Sequence, residues 1–507
     1  MSDARSLASR SLHALFWSYA GAVSRILAQL VIQVALARVL GPGAFGQAAM
    51  VMVVLSFGWL LADSGFGSAL IQKAKLTDDD IAYALGWVTL LSLGIGGLVF
   101  ACAPLLALAL GDMEFVPLMR ACGCLVPLQA VSNIPMSLLR RNLDMKRQQI
   151  LNVGGYVFGM GVVATAMALA GYGAWALVVG FGVQTVLNLA VGYLSVRFPL
   201  RLKLSGDRGL RNFGLSVMAT NIANWAIDNL DRIAIGKLWG AGSLGEYSAA
   251  GNLSRAPASI LVGAAQSVVF SSASRVQDDA ARVGRGFSAV SCMVLLITVP
   301  VFCFLSLHAS LVVQVLYGER WRSAAPLFAA LCIAIPSYAM LSIAGPTLWA
   351  VGAAKSEFKV QALIVLLMVS GLWLLGAVGG MPLAHAVWLV PALYALRSGL
   401  VVTALARRID LAAIRALHAC LGGLVLAGFV TVISIGVSAS SAQLNGTPMA
   451  EAAVAAVLGF FACLAVLRLT GRWLLVPDLC QMLLVRASGS QIARHLCRLL
   501  GLQLPQS

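Results

Sequence analysis

The chain has 507 residues, of which 60% are apolar and only 11% charged, and it carries a formal net charge of +16. A typical soluble domain is about a quarter charged, so these figures exclude a soluble globule and place the chain among membrane proteins. The apolar residues come in continuous runs rather than in alternating segments of about ten, which excludes a membrane β-barrel and predicts an all-α polytopic protein.

Runs of about twenty apolar residues mark fourteen candidate spans, near 13–38, 45–71, 81–110, 115–139, 150–170, 174–196, 213–237, 244–272, 286–314, 324–350, 359–379, 383–406, 417–438 and 451–469. The first run carries Arg25, Gln29 and Gln33 and is too long for a secretory signal core, so it reads as an uncleaved first helix. Most of the 35 basic residues fall on one side of this pattern, among them Lys73, Lys75, Arg140, Arg141, Lys146 and Arg147. The other side holds only Arg38, Lys237, Arg320 and Arg322. Basic connections stay inside. Both termini are therefore expected in the cytoplasm of a multi-pass protein of the cytoplasmic (inner) membrane. Anionic headgroups account for the positive charge, and no nucleic-acid partner is expected.

The break after the first span reads Gly41-Pro42-Gly43-Ala44-Phe45-Gly46, and the break after the seventh reads Gly240-Ala241-Gly242-Ser243-Leu244-Gly245. Three glycines repeat 199 residues apart. Six spans intervene, so the two halves keep one orientation and are related by an axis along the membrane normal. The expected organisation is a six-helix lobe over 1–204, a second over 205–410, two additional helices over 411–470, and a cationic amphipathic cytoplasmic tail over 471–507. Both breaks also match G-x-G-x-x-G, but a dinucleotide fingerprint needs a strand before it and a soluble βαβ unit around it. Here the glycines read as tight interhelical turns.

An ionisable side chain at mid-membrane costs about 2.5–3.5 kcal/mol on insertion scales, so each one marks a candidate site. Arg25, Gln29 and Gln33 form one polar stripe at helical spacing. Shifted by 199 residues the stripe becomes Asn224, Asp228 and Arg232, with Asn221 and Asp231 extending it. Two such faces are expected to border a central, water-filled cavity. Asp63, Arg120, Arg255 and Arg397 complete the intramembrane set. Five arginines against three aspartates leave the set cationic, which suits an anionic substrate. Two alternatives stay open: Asp228 or Asp231 can pair structurally with Arg232 or Arg25, and Arg120 can snorkel to the interface.

No catalytic constellation competes. The five histidines have no carboxylate at short spacing, there is no phosphate-binding loop, and no acidic cluster could hold a divalent metal. His385 reads as interfacial. Eight of the ten cysteines lie inside apolar runs and read as small core residues. Neither a catalytic residue nor a metal nor a cofactor is expected.

Two stretches carry a family resemblance. The segment from Ala37 to Gly46, continued by Leu61-Ala62-Asp63-Ser64-Gly65-Phe66-Gly67-Ser68-Ala69-Leu70-Ile71-Gln72, resembles the polysaccharide flippases of the multidrug/oligosaccharidyl-lipid/polysaccharide exporter superfamily. So does Asn229-Leu230-Asp231-Arg232-Ile233-Ala234-Ile235-Gly236-Lys237-Leu238-Trp239-Gly240. The resemblance implies two lobes around a cavity that opens alternately to either side. It implies an undecaprenyl-pyrophosphate-linked oligosaccharide as substrate, turned from the inner to the outer leaflet for O-antigen, capsule or exopolysaccharide assembly, with a polysaccharide polymerase and export machinery as partners. On this reading Arg25, Arg255 and Arg397 meet the pyrophosphate, while Gln29, Gln33 and Asn224, with Asp228 and Arg232, line the cavity. Asp63, Asp228 or Asp231 would carry a coupled proton or sodium ion. Two rivals remain: a cation-coupled drug antiporter of the same superfamily, which calls for acids and aromatics in the cavity, and a membrane glycosyltransferase or polymerase, which calls for a large outer loop. The longest outer connection expected here is only the stretch around 439–450.

Overall fold

In the computed structural model the described residues are 2–62, 66–73, 75–110, 113–205, 208–273, 280–351, 353–409, 413–444 and 447–487, with 497 and 500. Among them there is no strand. In hydrocarbon every backbone N–H and C=O must be satisfied within its own segment, so long apolar runs become helices. Contacts divide the chain into two compact units, Met1–Ala249 and Ala250–Ser507.

The first unit opens on α1, Ser2–Ala62, broken at Gly41 where φ is 72° and ψ 173°. Pro42 follows and has no N–H to continue the helix. Next come α2 (Phe66–Gln72), α3 (Asp78–Leu110) and α4 (Phe115–Arg141). α5 begins as Met145–Tyr156 and continues through the π-helical stretch Val157–Ala164 into Thr165–Leu169. α6 spans Trp175–Ser195. α7, Arg208–Ala273, is broken at Gly240 with φ 83° and ψ 175°, and it crosses from the first unit into the second.

The second unit continues with α8 (Ala280–Leu307), α9 (Ala309–Tyr317), α10 (Ala324–Ala350), α11 (Ser356–Val378) and α12 (Leu383–Ala406). It closes with α13 (Ala413–Leu444), α14 (Pro448–Leu474) and α15 (Pro477–Ala487).

Eleven helices among the described residues are long and apolar enough to cross a membrane. Phe16–Phe57, one of these, has 42 residues. At about 1.5 Å per residue it would reach about twice the ~30 Å of a bilayer core, so the Gly41 break falls where two crossings need it. The expected spans near 213–237 and 244–272 fall on α7, many of whose side chains lie outside the described residues. Two boundaries differ from expectation. The run at 286–314 is interrupted after Leu307, and His308 is the N-cap residue of the separate α9. The outer connection near 439–450 is shorter than expected, because α13 runs to Leu444 and Thr447 caps α14 by accepting from Ala450 N–H.

One end of the first unit is tightly specified. Thr77 and Asp80 form a reciprocal cap on α3: Asp80 N–H donates to Thr77 Oγ1 at 3.3 Å and Thr77 N–H to the Asp80 carboxylate at 3.1 Å. Lys73 closes on Asp80 at 2.7 Å. The segment after α6 returns along this helix, with Lys203 N–H donating to Ala82 O at 3.2 Å, Lys203 Nζ on Asp79 at 2.8 Å and Trp87 Nε1 donating to Leu204 O at 3.3 Å. Beneath it Phe66, Leu70, Leu85, Ile134, Leu138 and Phe198 pack as one buried cluster.

Candidate functional site

In the first unit Arg25 is half-buried on α1 and reaches α5. Its Nη1 donates to the Asn152 carbonyl at 3.2 Å, and its guanidinium lies 5.1 Å from the centre of the Tyr156 ring. Asn152 and Tyr156 are one helical turn apart, so a single face of α5 receives the charge. No carboxylate pairs with Arg25 among the described residues. Gln29 lies half-buried one turn further along α1, and after it the buried Gln33 donates from Nε2 to Ala249 O at 3.4 Å.

The two glycine breaks meet. A Cβ on Gly46 would run into the Ala241 carbonyl oxygen, and a Cβ on Gly245 into the Pro42 carbonyl oxygen. Residues 42 and 46 shifted by 199 are 241 and 245, so the contact is reciprocal, as a local two-fold axis between the turns requires. Gly41 and Gly240 share positive φ and nearly equal ψ. The repeat read from the sequence is thus a repeat of backbone geometry.

Asp231 is buried close to this pair of turns on α7. Its carboxylate accepts from Tyr247 Oη at 2.7 Å and from Arg232 N–H at 2.7 Å, which makes it a bracket between the arms of the second turn. Arg232 itself is half-buried. The side chains of Asn224 and Asp228, and Asp63 as a whole, lie outside the described residues.

In the second unit Arg255 lies 5.9 Å from the centre of the Tyr338 ring on α10, and its Nη2 donates to Tyr394 Oη on α12 at 3.3 Å. Arg397 follows Tyr394 by three residues on the same face. Its Nε is buried and has no hydrogen-bond partner among the described residues. Arg120 does not join either group: it is exposed on α4, 5.2 Å from the Phe100 ring.

Tyrosines 156, 338, 394 and 247 are neighbours of the candidate residues that the charge pattern did not mark. The available signal was a phenol inside an apolar run, whose hydroxyl or ring needs a polar or cationic partner when buried.

The fold and these side chains define an all-helical integral membrane protein with half-buried arginines set on tyrosines. The protein-family model described as "Polysaccharide biosynthesis protein" matches residues 35–326. The chain belongs to that family, and it is an integral protein of the bacterial inner membrane. Similar proteins include the succinoglycan biosynthesis transport protein ExoT of Rhizobium meliloti (strain 1021), 27% identical over 359 residues, covering 70% of this chain and 72% of that one. The lipopolysaccharide biosynthesis protein WzxC of Escherichia coli (strain K12) is 25% identical, covering 65% and 67%. Among solved structures, the lipid II flippase MurJ in an inward closed conformation matches with a TM-score of 0.69 at 12% identity, covering 90% of this chain and 98% of that one. An inward-facing MATE transporter of the MOP superfamily matches at 0.59 and 14% identity, covering 76% and 94%. These structural likenesses establish the transporter fold.

Proposed function

We propose that the chain turns an oligosaccharide linked to undecaprenyl pyrophosphate from the inner to the outer leaflet, for assembly of an O-antigen, capsule or exopolysaccharide, and that it acts as a transporter with no catalytic step. Family membership and the named roles of the similar proteins support the substrate class. The observation that carries the reading is Arg25: a guanidinium half-buried in an apolar span, set on a tyrosine and a carbonyl, with no carboxylate beside it among the described residues. The carbonyl and the ring leave the positive charge without a counter-charge among the described residues. Arg25 keeps its charge for a pyrophosphate, whose oxygens match the planar guanidinium two at a time.

Arg255 and Arg397 are likewise proposed to bind pyrophosphate, and Gln29, Gln33, Asn224, Asp228 and Arg232 to contact the sugars. The polyprenyl chain stays in lipid, and access alternates between the two sides. An inside-negative potential drives the anion outward, at about 2.3 kcal/mol per charge per 100 mV. Asp63 or Asp228 carries a coupled ion, while Asp231 is engaged in holding its turn. Both termini are cytoplasmic, the six-helix lobes run over 1–204 and 205–410, the extra helices over 411–470 and the tail over 471–507. A polymerase and export machinery receive the product.

Arg25→Ala is expected to strand lipid-linked repeat units on the inner leaflet while the protein stays in the membrane, and Arg25→Lys to retain part of the export. Arg320→Ala is the silent control. Normal export by Arg25→Ala, or failure caused only by loss of the protein and repaired by neutralising Asp228, would overturn the reading. For topology, Ser243→Cys should react with an impermeant maleimide in intact cells and Ser205→Cys should not.

A further inference from the structure

The first unit carries a second feature, away from Arg25 and independent of the transport reading. Between α3 and α4 lies an apolar groove of about 600 Å³, within the range of small-molecule pockets. On α3 it is lined by Leu93, Gly97 and Phe100 and on α4 by Cys124, Leu128 and Val131. Its depth comes from glycine: space beyond Gly97 is open, and the neighbouring Gly96 lies so close to Gly123 that a side chain on either would strike the other's carbonyl.

Arg120 is not part of the lining but stands beside it, over the ring of Phe100. Cys124, Leu128 and Val131 follow Arg120 at four, eight and eleven residues, which is one face of α4. Its guanidinium lies over Phe100, so the ring that forms one wall also orients the charge. Arg120 is exposed, and no carboxylate pairs with it among the described residues. It stands five residues into α4, about 8 Å from the start of the helix, the depth at which a long cationic side chain meets headgroups. From Phe100 to Leu93 the groove runs about 10 Å, about a third of the bilayer core. A charged head beside an apolar trough of this length matches an anionic two-chain lipid. A zwitterionic lipid brings its own cation and gains less from the guanidinium.

We propose that the α3–α4 groove is a binding site for one anionic phospholipid of the surrounding bilayer, with its phosphate on Arg120 and one acyl chain between Phe100 and Leu93. The charge selects the lipid class and the glycines admit the chain.

The full-length protein in detergent, titrated with phosphatidylglycerol or phosphatidylcholine and read by native mass spectrometry, tests this. The wild type should hold one phosphatidylglycerol more tightly than phosphatidylcholine. Arg120→Ala should weaken that binding about tenfold, the worth of one charge-assisted contact, and leave phosphatidylcholine unchanged. Gly97→Leu, which meets open space, should also displace the lipid while Arg120 stays intact. Unchanged phosphatidylglycerol binding in either variant would overturn the proposal. So would equal affinity for both lipids, or displacement of phosphatidylglycerol by equimolar undecaprenyl phosphate.

Discussion

The two halves repeat their turns and vary their polar stripes. Gly41 and Gly240 take the same backbone conformation, and Gly46 and Gly245 press reciprocally on carbonyls of the opposite turn. About two turns before each break the likeness ends. The first half places Arg25 on Tyr156 and Gln33 on a carbonyl, whereas the second has Asn224, Asp228 and Arg232 at the matching positions, with Asp231 bound to its own turn. Repetition persists where backbones touch, because only glycine lets them approach so closely. It lapses along the polar stripes, which on the proposed reading meet a substrate whose asymmetry calls for different groups.

The largest expected effect comes from erasing that asymmetry. Arg25→Asn, which copies residue 224 into the first half, should lower export about 10–100-fold, the value of a charge-assisted contact to the pyrophosphate. Export of labelled repeat units into everted vesicles measures it, with the protein level as reference.

The symmetry of the turns is tested by Gly46→Val and Gly245→Val. Each places a side chain on an opposing carbonyl, so each should destabilise the fold by about 1–3 kcal/mol or more, seen as a lower unfolding midpoint in detergent. Equal losses support the reciprocal contact. A loss in only one would break the equivalence.

Asp231→Ala should remove the acceptor of the Tyr247 hydroxyl and cost about 1–3 kcal/mol. Asp231→Asn keeps a carbonyl acceptor and should restore most of it. A transport defect in Asp231→Asn with unchanged stability would return this residue to the ion-coupling candidates. The smallest effect is expected from Tyr156→Leu, which removes a cation–π contact of about 0.5–2 kcal/mol and should weaken apparent substrate affinity only a few-fold, while Tyr156→Phe keeps the ring and should be close to wild type.

Much of this was legible in the chain itself. Continuous apolar runs had to become helices, since no other segment satisfies its own backbone in hydrocarbon. Gly41 and Gly240 were readable as breaks and as a repeat, and Arg25 stood out because a charge in an apolar run is expensive. The partners were not legible. Tyr156 lies 131 positions from Arg25, and Tyr338 and Tyr394 lie 83 and 139 from Arg255, and nothing in local periodicity marks a ring that will sit beneath a distant guanidinium. Arg120 shows the same limit from the other side: its place in an apolar run leaves it open between the cavity set and the interface, and the packing of α3 on α4 sets it over Phe100 beside a groove. Asp231 was open between ion carrier and salt-bridge partner, and it is the fold of the second turn that brings Tyr247 to its carboxylate. Composition and period determine which segments are helices and which residues are costly to bury, because those are properties of single segments in a given solvent. Which costly group meets which partner depends on contacts between segments far apart in sequence, and only the tertiary structure decides those.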